Sequence, residues 1–541
     1  MSLKKFIALS KAKKAAKEFE WVTEHPMDCQ EAFVHELAYK NKGTLFGRKH
    51  SFEGIRCIDD YQRVTPIQDY DTLLSYIELI KRGESNILFH GTPIWWARTS
   101  GTTSEPKLVP ITKKMTKYNS DAGSRLIYSF MMENPKKNVD ILSGKLFFLR
   151  APSRLKCING IPVGYISGIS GETQSRFAKR MVVPSKKTSD ITDWDQKFYQ
   201  VILETIQENV TMIVGVTPLL MSAFQRMADE YPLRLLQDVK NEKVKEKLRH
   251  SLKKAGGRLR PEDCWENLKL FCSSGASMKP YMSRYRDLFG DTPIKEAYGA
   301  TEGQFGHQDD EDKGLLLNWD KYLFEFTPFE DKTDRSKKGK EPRDQSFIRL
   351  SRLVASELKV GNNYEVLVTT PFGLYSYRIG DVLRLESKNP YRFTIVGRTK
   401  VTLNVFGEKV CEDHISTAVR AAEDTAGALV SEYSCTAVTS GISGPHYVVY
   451  VEFIKPPKSK EKFITAWDKT LQEVAPAYAC FRENNSILKS PKIVTLVKGS
   501  FRHYEEKRMK NQQAIGQLKL PHIASQTELQ NGFEIPTEVS W

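Results

Sequence analysis

The chain has 541 residues, 40% hydrophobic and 27% charged, a balance that excludes a disordered polymer and exceeds what one hydrophobic core serves. Lysine and arginine number 81 against 66 acidic residues, a formal charge of +15 that suits nucleic acid, an anionic membrane surface or a polyphosphate ligand. Basic residues are spread along the chain and no basic cluster interleaved with aromatics stands out, so a nucleic-acid partner is not expected.

Lys4 to Lys17, with Phe6, Ile7 and Leu9, is predicted to begin an amphipathic helix with a solvated face, surface binding being the alternative. Lys11, Lys13 and Lys14 interrupt this run too early for a secretory signal. Eight cysteines without a C-x-x-C pair point to reduced thiols and a cytoplasmic location. Cys411 and His414 are expected along one helix turn rather than around a metal. Met212 to Phe224, the longest apolar stretch, is too short to cross a bilayer and holds Gly215 and Pro218, so no membrane span is expected. The sequon Asn209-Val210-Thr211 is then a chance match.

From Leu146 to Gly303 short β-rich runs alternate with helical patterns, the signature of a parallel sheet. Strands are predicted at Met212 to Val216, Leu268 to Cys272 and Pro293 to Tyr298, each ending in a turn of small residues where α/β folds place their ligands. Closely spaced runs at 364–369, 374–377, 382–385 and 393–396 predict antiparallel strands. Beyond Gly397-Arg398, helices near 412–423 and 462–473 and strands near 447–453 and 492–497 predict a small α+β domain. Glu330 to Arg343 reads as an exposed loop.

Three segments carry chemistry. Thr99-Ser100-Gly101-Thr102-Thr103-Ser104-Glu105-Pro106-Lys107 combines glycine, hydroxyls and a lysine, a composition that can turn N–H and O–H donors toward phosphate; in isolation an ordinary turn fits as well. It lacks the G-x-x-x-x-G-K-[ST] order, and Pro106 disfavours the helix that an S-x-x-K nucleophile needs. Ala297-Tyr298-Gly299-Ala300-Thr301-Glu302-Gly303 offers an aromatic face for a base and a hard oxygen ligand for Mg²⁺, and equally a strand-to-helix turn whose glutamate caps the helix. In Tyr377-Arg378-Ile379-Gly380-Asp381-Val382 the carboxylate suits ribose hydroxyls, while the plainer reading pairs Asp381 with Arg378 on a surface strand.

Taken in order, these segments resemble the adenylate-forming superfamily and, within it, the auxin-responsive Gretchen Hagen family of acyl-acid amido synthetases. Gly43-Thr44-Leu45-Phe46-Gly47, Val64-Thr65-Pro66-Ile67 and Gly516-Gln517-Leu518-Lys519-Leu520-Pro521 extend the resemblance over nearly the whole chain. Thr99 and Ala300-Thr301 depart from the serines usual in plant members.

The resemblance implies an α/β fold: a large N-terminal domain, residues 1–397, with parallel sheets and a β-barrel-like portion, and a small mobile α+β domain, residues 398–541. It implies a monomer hinged at Gly397 to Lys400 that uses ATP and Mg²⁺ to activate a small carboxylic acid as an acyl-adenylate and passes it to an amino acid. Coenzyme A is the alternative acceptor. Thr99, Ser100, Gly101, Thr102 and Thr103 would then contact phosphate. Tyr298, Gly299, Ala300 and Thr301 would hold adenine, Glu302 the metal and Asp381 the ribose. Lys519 would swing in as the catalytic lysine, although alone it reads as a surface residue. Gly164, Tyr165, Ser167 and Gly168 would line the acyl pocket. Arg125 is a candidate partner for an anionic substrate, with a solvated helix face as its alternative.

Overall fold

The computed structural model describes residues 3–99, 107–310, 313–329, 352–399, 401–403, 405, 408, 410–438, 444–482, 488–511 and 521–533. In chain order its strands are β1 (Trp95–Arg98), β2 (Leu108–Ile111), β3 (Lys145–Phe148), β4 (Lys156–Ile158), β5 (Ile161–Gly164) and β6 (Val182–Val183). These are followed by β7 (Val210–Val216), β8 (Leu270–Ser274), β9 (Ile294–Ala300), β10 (Gly303–His307), β11 (Leu315–Leu317) and β12 (Leu323–Pro328). The remainder are β13 (Asn363–Thr369), β14 (Tyr377–Lys388), β15 (Tyr391–Arg398), β16 (Leu429–Val438), β17 (His446–Lys455) and β18 (Lys492–Leu496).

Among the described residues, eleven strands form one sheet in the order β12-β13-β14-β15-β11-β10-β9-β8-β7-β3-β6. From β6 to β9 the pairing is parallel, and from β9 onward it is antiparallel. The parallel half is sequence-legible because a strand covered on both faces is a near-continuous apolar run, as Met212 to Val216 is. The antiparallel strands expected to make a barrel-like portion are the direct continuation of this sheet.

Two local expectations change. Gly299 to Gly303 does not lead into a helix: β9 and β10 form a hairpin, with Gly303 opposite Ala300, so Glu302 lies in a reversing turn and caps nothing. The runs 374–377 and 382–385 are not two strands. Gly373 at φ +104 and Ser376 at φ +43 bend the connection, the Thr370 N–H bonding the Leu374 carbonyl, and one long β14 starts at Tyr377.

The first helix, Leu3–Glu24, buries Ala12, Phe19 and Val22 and leaves Phe6, Ile7 and Trp21 outside. Helix Lys113–Glu133 begins at Thr112, whose hydroxyl accepts the Met115 N–H at 3.1 Å, and buries Met115, Ala122, Leu126, Phe130 and Met131. The Gly43-to-Gly47 motif is scaffold: Thr44 caps helix Leu45–Lys49, and a side chain at Gly47 would collide with the Asn41 carbonyl. Among the described residues no helix is long and apolar enough to cross a membrane.

Beyond residue 400, strands β16 to β18 carry helices Glu412–Ala426 and Lys460–Val474 around a core that includes Val419, Val449, Trp467 and Tyr478. Strand β16 is an addition to the expected set; its Ser431, Glu432, Ser434 and Thr436 hide its pattern. Cys411 precedes helix Glu412–Ala426, and its N–H bonds His414 Nδ1 at 3.4 Å, so these two residues shape a helix start. The hydrophobic clusters of residues 8–395 and those of 401–533 share no member. Polar contacts join the two parts: Lys279 to Asp413 at 2.5 Å, Ser283 to Glu423 at 2.8 Å, Arg284 to the Ser431 carbonyl at 2.6 Å and Arg502 to Glu230 at 2.6 Å.

Candidate active site

The carboxyl ends of β7, β8 and β9 open into a cleft of about 2460 Å³, roofed by helix Lys113–Glu133 and closed on the far side by residues of the C-terminal part. Strand ends supply outward-turned backbone groups there, which is why ligands gather at this edge of an α/β sheet. Residues from all three chemistry-bearing segments meet in it: Thr99 and Lys107, Tyr298 to Glu302, and Asp381.

A polar chain links the second and third of these. The Tyr298 hydroxyl donates to Asp381 Oδ2 at 3.0 Å, and Arg398 forms an ion pair with Asp381, Nε to Oδ1 at 3.1 Å. Strand register causes this, because Asp381 on β14 sits directly opposite Arg398 on β15. The surface pairing of Asp381 with Arg378 does not occur; Arg378 binds Glu365 at 2.8 Å. Burial, with the Asp381 charge adding, raises the Glu302 carboxyl above its usual range, and Arg398 and Lys107 pull it back. Burial and the neighbouring Asp381 likewise hold Tyr298 neutral. A buried carboxylate beside a second one, with cations at its margin, fits a divalent ion better than it fits solvent. Among the described residues no group of three or more His, Cys, Asp or Glu could hold a metal alone, so the donors beyond Glu302 would come from a bound phosphate and water.

Arg125 does not reach the cleft. Its guanidinium forks onto Asp320 at 2.6 and 2.7 Å, bonds Asn318 at 2.8 Å and lies over the Phe19 ring. It is a strut from helix Lys113–Glu133 to the turn between β11 and β12, and its two terminal nitrogens are taken up by Asp320 and Asn318. Gly164, Tyr165 and Gly168 also stay outside the lining: side chains at Gly164 and Gly168 would collide with the Ser153 and Ala151 carbonyls, and Tyr165 is buried in packing. Ser167 does line the cleft, its hydroxyl accepting the Ala151 N–H at 3.1 Å. Ser100, Gly101, Thr102, Thr103 and Lys519 lie outside the described residues.

Sequence reasoning passed over His522. Its ring is buried between Tyr433 and Tyr281, with centroids 4.5 and 5.6 Å away, and its two nitrogens donate to Glu412 at 2.5 Å and Glu432 at 3.1 Å. Burial opposes its charge, but the two carboxylates overcome that and push its pKa up to about 9. Pro521-His522 in the sequence gives no hint of partners 110 and 90 residues away.

A mixed sheet with a cleft at the carboxyl ends of its parallel strands, followed by a small α+β part, is the architecture of adenylate-forming enzymes. AtGH3.15 acyl acid amido synthetase in complex with 2,4-DB superposes with a TM-score of 0.77 at 19% identity, covering 97% of this chain and 96% of that one. The 2-hydroxyisobutyryl-CoA ligase in its postadenylation state superposes with a TM-score of 0.51 at 12% identity, covering 97% and 91%. The chain belongs to the GH3 family, whose N-terminal, central and C-terminal domains match residues 15–294, 315–398 and 413–528. Indole-3-acetic acid-amido synthetase GH3.17 of Arabidopsis thaliana is 26% identical over 504 residues, spanning 82% of this chain and 81% of that relative.

Proposed function

We propose that the chain activates a small carboxylic acid with ATP as an acyl-adenylate and transfers the acyl group to the amine of an amino acid. One observation carries this reading: Thr99 and Lys107, Tyr298 to Glu302, and the Asp381–Arg398 pair converge on one cleft from three distant stretches of sequence. Family membership and the named amido synthetase activity of the GH3.17 relative support it.

In the first step the substrate carboxylate oxygen bonds the α-phosphorus and pyrophosphate leaves. In the second the amine nitrogen bonds the acyl carbon, AMP leaves with the C–O electron pair and the amine proton passes to water. Such chemistry asks the protein mainly to position groups and to balance charge. Tyr298 faces the base, Asp381 accepts from ribose hydroxyls with Arg398 fixing its orientation, and Lys107 offsets phosphate charge. Mg²⁺ at Glu302 would neutralise the phosphate oxygens as charge shifts onto the leaving group. By the family resemblance, the loop 99–103 and Lys519 would add phosphate contacts. Residues 1–397 form the substrate-binding body and 398–541 the mobile lid, consistent with hydrophobic clusters that do not mix. The protein works as a cytoplasmic monomer.

The test is incubation with ATP, Mg²⁺ and a panel of carboxylic acids, reading pyrophosphate, then adding amino acids or coenzyme A and identifying the product by mass spectrometry. Pyrophosphate and amide are expected. A thioester without amide moves the second step to coenzyme A, and no pyrophosphate with any acid overturns the adenylation.

A further inference from the structure

Helix Leu3–Glu24 is apolar on two sides. One side packs into the body through Ala12, Phe19 and Val22. At about 100° per residue, the opposite side carries Leu3, Phe6 and Ile7 on its first two turns, then Lys13, Lys14 and Lys17, then Trp21. Leu3, Phe6 and Ile7 are 75%, 59% and 47% exposed, whereas a helix that only covers a core turns polar residues outward there. Leu142 is also exposed, on the turn Val139–Ser143 whose Asp140 receives Lys5 at 2.6 Å, so it adds to the same end of the helix. Scattered apolar side chains on a surface need no explanation, but a gathered set does.

The same segment is one-sided in charge. From Leu3 to Lys17 the sequence holds six lysines and no acidic residue. Lys11, Lys13, Lys14 and Lys17 are exposed, and helix Pro135–Asn138 adds the exposed Lys136 and Lys137 just before the turn that bears Asp140. Acids close by are already engaged, Asp140 with Lys5 and Glu133 with Lys295. Glu18 reaches Lys14 only at 3.8 Å, with both side chains in water, and such a pair neutralises little.

We infer that this face of the first helix docks the protein on an anionic phospholipid surface. The helix lies in the interface, with Leu3, Phe6 and Ile7 below the headgroups and the lysines among them. A bilayer surface gives both halves of the pattern a partner, apolar carbon for the first two turns and lipid anions for the ammonium groups. Trp21, 51% exposed at the far end, suits headgroup depth. A nucleic acid would satisfy the lysines but leave Leu3, Ile7 and Leu142 in water. A second copy docked face to face would set lysines against lysines. Docking uses no residue of the cleft and is independent of the adenylation reading.

The experiment sediments the full chain with vesicles of phosphatidylcholine alone and of equal parts phosphatidylcholine and phosphatidylserine, at low and high salt. Wild type is expected to bind the anionic vesicles roughly tenfold more tightly or better, and to weaken as salt rises. A lysine near an anionic surface is worth about a factor of five, so Lys13→Gln, Lys14→Gln and Lys17→Gln combined should lose roughly a hundredfold. The matching triple arginine variant keeps the charge and should bind as wild type does. Phe6→Ser with Ile7→Ser should lose roughly tenfold or more at unchanged charge. All these positions are exposed, so every variant should melt as wild type does. No preference for anionic vesicles, or a Phe6→Ser, Ile7→Ser variant that binds like wild type, overturns the docking. Tighter binding to poly(U) than to the anionic vesicles assigns the lysines to nucleic acid and overturns it too. So does a concentration-dependent dimer in sedimentation velocity that the serine variant dissolves, which assigns the face to a second copy.

Discussion

Replacing His522 by glutamine tests the buried imidazolium that ties residues 521–524 to the C-terminal sheet. The groups facing the ring are Glu412, Glu432, Tyr281 and Tyr433, with Arg284 of the N-terminal part 3.4 Å from Glu432. Its pKa rises from 6.5 to about 9 on folding, which at about 1.4 kcal/mol per pH unit corresponds to roughly 3 kcal/mol of stability. Because the folded value lies above the unfolded one, this contribution is complete below pH 6.5 and disappears as pH climbs through about 9. Glutamine carries no charge at any pH, so the stability gap between wild type and His522→Gln should narrow by roughly 3 kcal/mol from pH 6.5 to 9.5. Glu505, pushed up to about 7 by burial, titrates in both proteins, so the difference between the two curves carries the test rather than either curve. Urea unfolding followed by tryptophan fluorescence, across this pH range, measures the gap. A gap that stays constant would refute the charged clamp.

Three further perturbations separate chemistry from scaffold. On the proposed reading, Asp381→Ala removes a charged hydrogen bond to ribose and Glu302→Ala a metal ligand, and a loss of about 1.5–3 kcal/mol in each should cut pyrophosphate release roughly 10- to 100-fold. Both variants should keep wild-type circular dichroism; near wild-type pyrophosphate release by both would remove the site assignment. Lys519→Ala should impair acyl-adenylate formation more than amide formation from supplied acyl-adenylate, and single-turnover measurements of the two steps yielding equal losses would argue against an arriving lysine. Arg125→Met should lower stability by about 1–3 kcal/mol through loss of the Asp320 fork while KM for acids stays put; thermal melting together with steady-state kinetics checks this, and an acid KM raised with stability intact would return Arg125 to the substrate.

Legibility followed sequence distance. Strand β7 announced itself because a continuous apolar run is all it needs, and the 99–107, 297–303 and 377–382 segments stood out through local composition. What escaped were partners fixed by tertiary register. Arg125 reads as a cation on a helix until Asp320, 195 residues later, is folded against it. Asp381 seems destined for Arg378 because the two are three residues apart in sequence, yet alternation along β14 and its pairing with β15 deliver Arg398 instead. The hairpin at Glu302 mimics a strand-to-helix turn because both use small residues after an apolar run. His522 has no local pattern at all, since both its carboxylate partners are supplied by distant segments.

The reversal of the sheet at the β9–β10 hairpin has a mechanical consequence. Tyr298 belongs to the last parallel strand and Asp381 to an antiparallel one, but an unbroken ladder through β10, β11, β15 and β14 joins them. Tyr298 and Asp381 are therefore held by one continuous sheet, so any displacement of the part beyond residue 400 leaves their spacing to each other unchanged. On the proposed reading, the nucleoside would be gripped by a fixed vice while the tools that change between the two steps arrive from beyond it.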